Sequence, residues 1–283
     1  MQANTMSSEL IYHFDDAELK ELVQAIKDWY GYDFSDYSES SFKRRVGRVM
    51  VNEGIDSIQA LQDNIGKDIT CLNSFIDEVT VNVTEMFRDP SFYQALFSKV
   101  IPELTHLPLI RIWHAGCSSG EEVYSMAILL KEAGLLDKCL LYATDINLTV
   151  LNQAAEGCFQ LSAMEEYEEN YKKSGGKFSL SNYYEVNEEV VVFRQDLAKR
   201  MVFSPHNLAI DQSFNEFNLI LCRNVMIYFN RNLQEKVLKL FVDSLADEGY
   251  LALGTKESLE FSSFKENFSG IDKKNKIWQI KKS

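Results

Sequence analysis

The chain has 283 residues, which at roughly 150 residues per domain points to about two domains and leaves ample length to bury a core. A composition of 46% hydrophobic, 12% aromatic and 25% charged residues, with 13 Gly and 4 Pro, excludes collagen-like repeats and long disordered tracts. With 29 basic against 42 acidic side chains the formal net charge is −13, which disfavours a protein that tracks nucleic-acid phosphates; an anionic partner has to meet a local basic patch.

No apolar run approaches the 18 or so residues a membrane span needs. The opening stretch MQANTMSSEL lacks the charged and apolar regions of a secretion signal, so a cytoplasmic chain without membrane insertion is expected. The cysteines (Cys71, Cys117, Cys139, Cys158 and Cys222) are odd in number and never spaced as CxxC, which suits reduced thiols. The histidines (His13, His106, His114 and His206) form no local pair at metal-ligand spacing, and no metal is expected.

The first eighty or so residues read as helices only. Asp15 and Asp16 offer a cap to a helix that carries Leu19, Leu22, Val23, Ile26 and Tyr30 at helical spacing and stops at Gly31. A second helix, from about Ser40 to Glu53, gathers Phe42, Val46, Val49 and Met50 on one face. Arg44 and Arg48 fall on the opposite face with Lys43 and Arg45 on its flanks, the one dense basic cluster that this reading picks out. A short third helix near Ser57 to Ile65 and a fourth with Ile69, Leu72, Phe75, Ile76 and Val79 complete a small bundle. The stretch VNVTEMFRDP (81–90) reads as a connector, closed by Asp89 as helix cap and Pro90 at the first helical position, with a helix running on to about Leu104.

From Leu109 the pattern alternates: strand LIRIWHA, glycine turn GCSSG, helix EEVYSMAILLKEAG, strand CLLYATD, a helix over 147–156, strand FNLILCRN, a helix over 231–246 and strand GYLALGT. Such alternation predicts a doubly wound α/β fold with a parallel sheet. KIWQIK (276–281) is expected as an edge strand, and KFSLS, NYYEV and EVVVFR as short antiparallel strands of a small β insertion.

In an open parallel sheet the ligand lies beyond the carboxyl ends of the strands, where strand order reverses. The turn GCSSGEE lacks the third glycine of a dinucleotide fingerprint, and Glu121 and Glu122 at the helix start would repel phosphate. Those carboxylates suit a ligand with no phosphate and a positive charge, such as S-adenosylmethionine, and Asp145 at the next strand end is placed to accept ribose hydroxyls. The same turn satisfies GxSxG with Ser118 as nucleophile, but His206, the one histidine after it, comes before further strands rather than near the domain's end. The turn alone does not decide among these ligands, and an acidic helix start with a strand-end cap is also open.

Seven motifs in one order resemble the CheR-type chemotaxis receptor methyltransferases: FKRRVGRVM (42–50), NVTEMFRDP (82–90), IWHAGCSSGEEVYSMA (112–127), ATDIN (143–147), FSPHNL (203–208), LILCRNVMIYFN (219–230) and GYLALGTKESL (249–259). The resemblance implies an N-terminal all-helical domain (1–80), a connector (81–90) and a Rossmann-like methyltransferase domain (91–283) with its β insertion at about 175–195. It implies transfer of methyl from S-adenosylmethionine to glutamates of chemoreceptors, with S-adenosylhomocysteine as product. A degenerate fold acting as a signalling adaptor is the alternative.

By the same resemblance, Asn82, Thr84, Arg88, Gly116, Glu122 (with Glu121 as its neighbouring candidate), Asp145, Asn207, Leu208, Arg223 and Asn224 border the cofactor. Arg88 and Tyr228 place the methyl acceptor. Lys43, Arg44, Arg45 and Arg48 are expected to dock the glutamate-rich methylation region of the receptor, and the β insertion serves in some members to dock a receptor's C-terminal peptide. A monomer is expected. Thr84 could instead cap a turn, Asn207 could satisfy loop backbone and Tyr228 could pack at a strand-to-helix junction. Arg223, a charge directly after LILC, needs a partner or a ligand. The sequence departs from the usual pattern at Ser119, Val123, Met86 and Thr255-Lys256, departures that bear on substrate fit more than on cofactor binding.

Overall fold

The computed structural model describes residues 14–281, so MQANTMSSEL and His13 lie outside the described residues. The chain separates into two compact units, one ending at Val79 and the other beginning at Thr80.

The first unit holds helices α1 (Asp16–Tyr30), α2 (Glu39–Asn52), α3 (Ile58–Lys67) and α4 (Ile69–Val79). Asp15 caps α1 through a reciprocal box: its carboxylate accepts from the Ala17 and Glu18 amides while Glu18 accepts from the Asp15 amide, and Gly31 at φ 78° ends the helix. The apolar stripes fall inward as their spacing requires, with Leu22, Ile26, Val46, Ile65 and Phe75 fully buried. Phe34, from the loop before α2, lies between Phe42 (ring centroids 5.4 Å apart) and Phe75 (6.1 Å).

In the second unit the connector leads to α5 (Pro90–Lys99) and α6 (Ile101–Leu104). The single helix expected to run to Leu104 is broken at Val100, because a continuous helix would drive the Pro102 ring into the carbonyl one turn back. Then follow β1 (Ile110–Ala115), α7 (Glu121–Glu132), β2 (Cys139–Asp145), α8 (Leu148–Glu156), β3 (Cys158–Gln160), α9 (Met164–Lys173), β4 (Tyr184–Asn187), β5 (Val190–Phe193), α10 (Gln195–Ala198), β6 (Met201–Pro205), β7 (Phe217–Cys222), α11 (Arg231–Ser244), β8 (Leu245–Leu253), β9 (Phe268–Asp272) and β10 (Ile277–Ile280).

The main sheet has seven strands in the order β6-β2-β1-β7-β8-β10-β9, with β6, β2, β1, β7 and β8 parallel and β10 reversed, pairing antiparallel with both β8 and β9. Strand order reverses around β1, which pairs with β2 on one side and β7 on the other, so the turn after β1 opens at the switch point. KIWQIK is not an edge strand: it lies between β8 and β9, and Phe268–Asp272 forms the edge. The small sheet has the order β3-β5-β4, so Cys158–Gln160 supplies the strand expected from KFSLS, whose residues are loop and a 3₁₀ turn. The central strands bury Ile112, Leu141, Leu219 and Leu251 completely, and α7 packs Val123, Met126, Ala127 and Leu130 onto the core.

Replacing Asp15 by Ala removes the oxygen that accepts from two amides at the α1 start and is expected to cost about 1 kcal/mol. Urea unfolding followed by circular dichroism measures this, and an unchanged midpoint would show the cap to be idle.

Candidate functional site

The turn after β1 is held from below and from both sides. The Gly116 and Cys117 amides donate to the Thr144 carbonyl at 2.8 and 2.9 Å, which ties the turn to the end of β2. Gly116 has φ 80°, and a Cβ there would stand 2.4 Å from a Val225 methyl, so only glycine lets the β1 and β7 turns meet. Ser118, at φ 49°, donates its amide to Asp145 Oδ2 at 2.9 Å, while the Asn147 amide takes Oδ1 at 3.0 Å. The His206 amide donates to the Asp145 carbonyl at 3.1 Å, bringing the FSPHN stretch beside it. Asp145 and Glu121 are both pushed above the ordinary carboxylate range by burial, which outweighs the hydrogen bonds each accepts.

Arg223, directly after β7, is the second organising centre. Its side chain is only 3% exposed and lies 4.0 Å above the Phe92 ring. It donates to Glu122 Oε2 at 3.1 Å, to Asp89 Oδ2 at 2.7 Å and to the Arg88 carbonyl at 3.2 Å. The other Glu122 oxygen meets His114 Nδ1 at 3.0 Å. Burial pushes the Glu122 carboxyl up, but the His114 hydrogen bond and the Arg223 charge outweigh it and hold it below the ordinary range. Asp89 does not cap α5 through its side chain as expected: at φ 59° it turns its carboxylate to Arg223 instead.

A third anchor was not singled out as a site residue from the sequence. Glu257, 5% exposed, accepts from four backbone amides: Asn224 (3.0 Å) and Gly254 (2.5 Å) on one oxygen, Val225 (3.0 Å) and Met226 (2.8 Å) on the other. This cradle fixes Asn224 in a left-handed conformation at φ 62° and aims the 3₁₀ turn Met226–Tyr228. The available signal was an acidic residue shortly after an apolar strand, a weak one on its own.

Most of the cofactor residues expected from sequence thus meet at the carboxyl edge of β1, β2, β6 and β7. Asn82 joins through Thr80, whose hydroxyl accepts from Asn82 (3.3 Å) and from Asn147 (3.1 Å). Arg88 is half-buried, with its guanidinium on the Val83 carbonyl at 3.3 Å, and Thr84 and Tyr228 are half-buried too. Asn207 accepts from the Ala209 amide at 2.9 Å, and Leu208 is buried. Arg223 and Glu122 spend their charges on one another and on Asp89 and His114. Met86 is fully buried, so its departure from the usual aromatic concerns packing, whereas Thr255 and Lys256 are exposed.

The α2 cations belong to the other unit and are largely spent within it. Lys43 pairs with Asp16 at 2.6 Å, Arg48 with Glu78 at 3.0 Å, and Arg45 donates to the Glu78 carbonyl at 3.2 Å. Of the four, Arg44 alone has no such partner among the described residues.

A nucleophile elbow is not assembled. His206 Nε2 faces the Gln212 carbonyl at 3.2 Å and its ring packs on Trp113, while the Ser118 hydroxyl is buried with no hydrogen-bond partner among the described residues. A buried orphan hydroxyl next to Asp145, at a helix start carrying two carboxylates, fits a nucleoside ligand bearing positive charge and no phosphate.

Comparison with known proteins agrees. Residues 82–277 match the family model described as CheR methyltransferase, SAM binding domain, and residues 17–80 match CheR methyltransferase, all-alpha domain. The chain belongs to the CheR methyltransferase family. It is 41% identical to Cher3 of Pseudomonas putida over 93% of this chain and 97% of that one. It is 31% identical to a chemotaxis protein methyltransferase of Listeria innocua (84% and 88% covered) and 30% identical to one of Salmonella typhimurium (90% and 87%). It is an S-adenosylmethionine-dependent methyltransferase, with Rossmann-like sheet, all-helical first domain and small antiparallel sheet.

Arg223→Met leaves the half-buried Glu122 and Asp89 carboxylates without their cation and is expected to cost about 3 kcal/mol. Adding Glu122→Gln should recover part of that loss, and a double-mutant cycle by urea unfolding reads the coupling. Strictly additive losses would show that the pair is not an interacting unit.

Proposed function

We propose that this enzyme transfers the methyl group of S-adenosylmethionine to side-chain carboxylates of glutamates on chemoreceptor signalling domains, giving glutamate methyl esters and S-adenosylhomocysteine. The observation that carries the reading is the chemistry of the site's edge. It gathers carboxylates, amides and arginines, while the two histidines beside it are buried, His114 with Nδ1 on Glu122 and His206 with Nε2 on the Gln212 carbonyl, and neither is exposed to an incoming acceptor. An acceptor amine, thiol or hydroxyl would call for a base to remove its proton, whereas a glutamate is already ionised at neutral pH and needs none. The names of the Listeria and Salmonella relatives support a chemotaxis setting.

Asn82, Thr84, Gly116, Glu121 or Glu122, Asp145, Asn207, Leu208 and Asn224 would hold the cofactor, which supplies an electrophilic sulfonium methyl. Asp145 would accept the ribose hydroxyls and the acidic α7 start would face the cationic portion. Arg88 orients the acceptor carboxylate without pairing so tightly as to quench it. Tyr228 shapes the methyl slot or donates a hydrogen bond. Opposite charges on nucleophile and sulfonium vanish as the new bond forms, so excluding water and holding the reactants in line supply most of the acceleration. Among the described residues β4 pairs only with β5 and leaves Val186 60% exposed, a place where a receptor's C-terminal peptide would add as a strand.

Arg88→Ala and Tyr228→Phe are expected to lower turnover about 10²-fold or more with labelled cofactor and a receptor fragment, while S-adenosylhomocysteine still binds to Tyr228→Phe. Undiminished turnover in both would refute the role assignment.

A pH profile tests Asp145. Its carboxyl is raised above 3.8 by burial, so it gains a proton at a higher pH than an ordinary aspartate. If the ionised form accepts the ribose, affinity for S-adenosylhomocysteine is full at neutral pH and falls on acidification through that raised value. Asp145→Asn should bind weakly and remove that component of the fall; Glu121→Gln isolates the second raised carboxylate. Titration calorimetry reads both, and an identical profile in Asp145→Asn and wild type would remove Asp145 from the site.

A further inference from the structure

The β9–β10 turn, residues 273–276, stands at the same carboxyl edge as the cofactor site. The Leu253 amide, at the end of β8, donates to the Lys276 carbonyl at 3.0 Å. Ser91, in the first turn of α5 and three residues after Arg88, donates its hydroxyl to Asn275 Oδ1 at 2.7 Å. The Asn275 amide in turn donates to Asp272 Oδ1 at 2.9 Å, so the turn is fixed at both ends.

This turn carries Lys273, Lys274 and Lys276, and Lys256 follows β8 on the same edge. Lys256, Lys273 and Lys274 are exposed, Lys276 is half-buried at φ 55°, and none of the four has an ion pair among the described residues. The acids near them are already engaged. Asp272 pairs with Lys99 at 2.9 Å, Glu260 pairs with Lys265 at 2.7 Å, and Glu257 is buried under four amides. Glu260 also feels Lys273 and Lys276 but forms its ion pair with Lys265, so a chain of net charge −13 presents a predominantly positive edge beside the connector, a second basic cluster besides the one on α2.

We infer that Lys256, Lys273, Lys274 and Lys276 form a docking surface for the glutamate-rich segment that carries the methyl acceptor. The inference rests on the proposed function and adds where the acceptor is met. An acidic segment approaching an acidic enzyme is repelled over most of the surface, so a cluster of unpaired cations at the mouth of the site steers it in and fixes its register. The surface lies within the methyltransferase unit, so the acceptor meets it on the body that holds the cofactor.

The test uses the full chain with a receptor cytoplasmic fragment. Lys273→Glu/Lys274→Glu should raise the acceptor KM about tenfold or more at low salt, leave S-adenosylhomocysteine affinity within about twofold, and flatten the salt dependence of kcat/KM. A control pair, Lys138→Glu/Lys199→Glu, places the same charge change before β2 and β6 at the opposite edge of the sheet and should move neither. A polyglutamate peptide should compete with the acceptor on wild type and lose that effect on the Lys273/Lys274 variant. Equal shifts in the control pair, or an unchanged acceptor KM and salt slope with a full shift in Arg44→Glu, would overturn the surface. So would a change confined to self-association by sedimentation. If wild type binds S-adenosylhomocysteine yet methylates no receptor fragment, the functional reading fails and the docking surface falls with it.

Discussion

A buried guanidinium holds the site together. Arg223 leaves the end of β7 and meets, within hydrogen-bond distance, the start of α7 through Glu122 and the connector through Asp89 and the Arg88 carbonyl. Three segments far apart in sequence are thereby tied at one point. Taking these charges out of water costs nearly as much as their attraction returns, so the network adds little net stability and much geometric definition. Without Arg223 the two carboxylates would have to take protons or separate, and either change would move the connector relative to the sheet.

That definition is spent on strained backbone. Seven described residues other than glycine have positive φ, and four of them, Phe87, Asp89, Ser118 and Asn224, lie in the connector and the two turns of the site. Such conformations cost of order 1–3 kcal/mol each and persist only where the surroundings over-determine them. Each has its restraint. The Phe87 amide donates to Ser125 Oγ at 2.9 Å, Asp89 is held by Arg223, Ser118 by Asp145 and Asn224 by Glu257. Side chains, a hydroxyl at Phe87 and carboxylates at the other three, thus fix loop shapes that backbone preference alone would not select.

Much of this was legible in the residues. Helical spacing placed the bundle and its buried faces, since one apolar stripe per helix leaves little choice of orientation. The alternation from Leu109 onward gives the parallel sheet, and the acidic turn GCSSGEE, without a third glycine, argues against a phosphate-bearing ligand. What escaped reading was set by tertiary partners. Asp89 looked like a cap because local pattern cannot show a guanidinium 134 residues away. KFSLS looks like a strand, but Cys158–Gln160 is the segment that pairs with that edge of β5. KIWQIK looked like an edge because Phe268–Asp272, with its glycine and polar alternation, gave no strong strand signal. Arg223, a charge directly after LILC, calls for a partner or a ligand, and the protein itself supplies the partners.

The amides of Asn224, Val225, Met226 and Gly254 converge as a nest, the kind of concavity that elsewhere receives phosphate. Here the nest is filled from within by Glu257, and the neighbouring helix start carries Glu121 and Glu122. Adenosine compounds that bear phosphates, abundant in any cell, therefore meet carboxylates where a nucleotide fold would offer bare N–H groups. On the proposed reading, ATP and the dinucleotides are disfavoured by side-chain carboxylates that occupy or flank these amides, a welcome withheld from anions rather than a pocket shaped for one methyl donor.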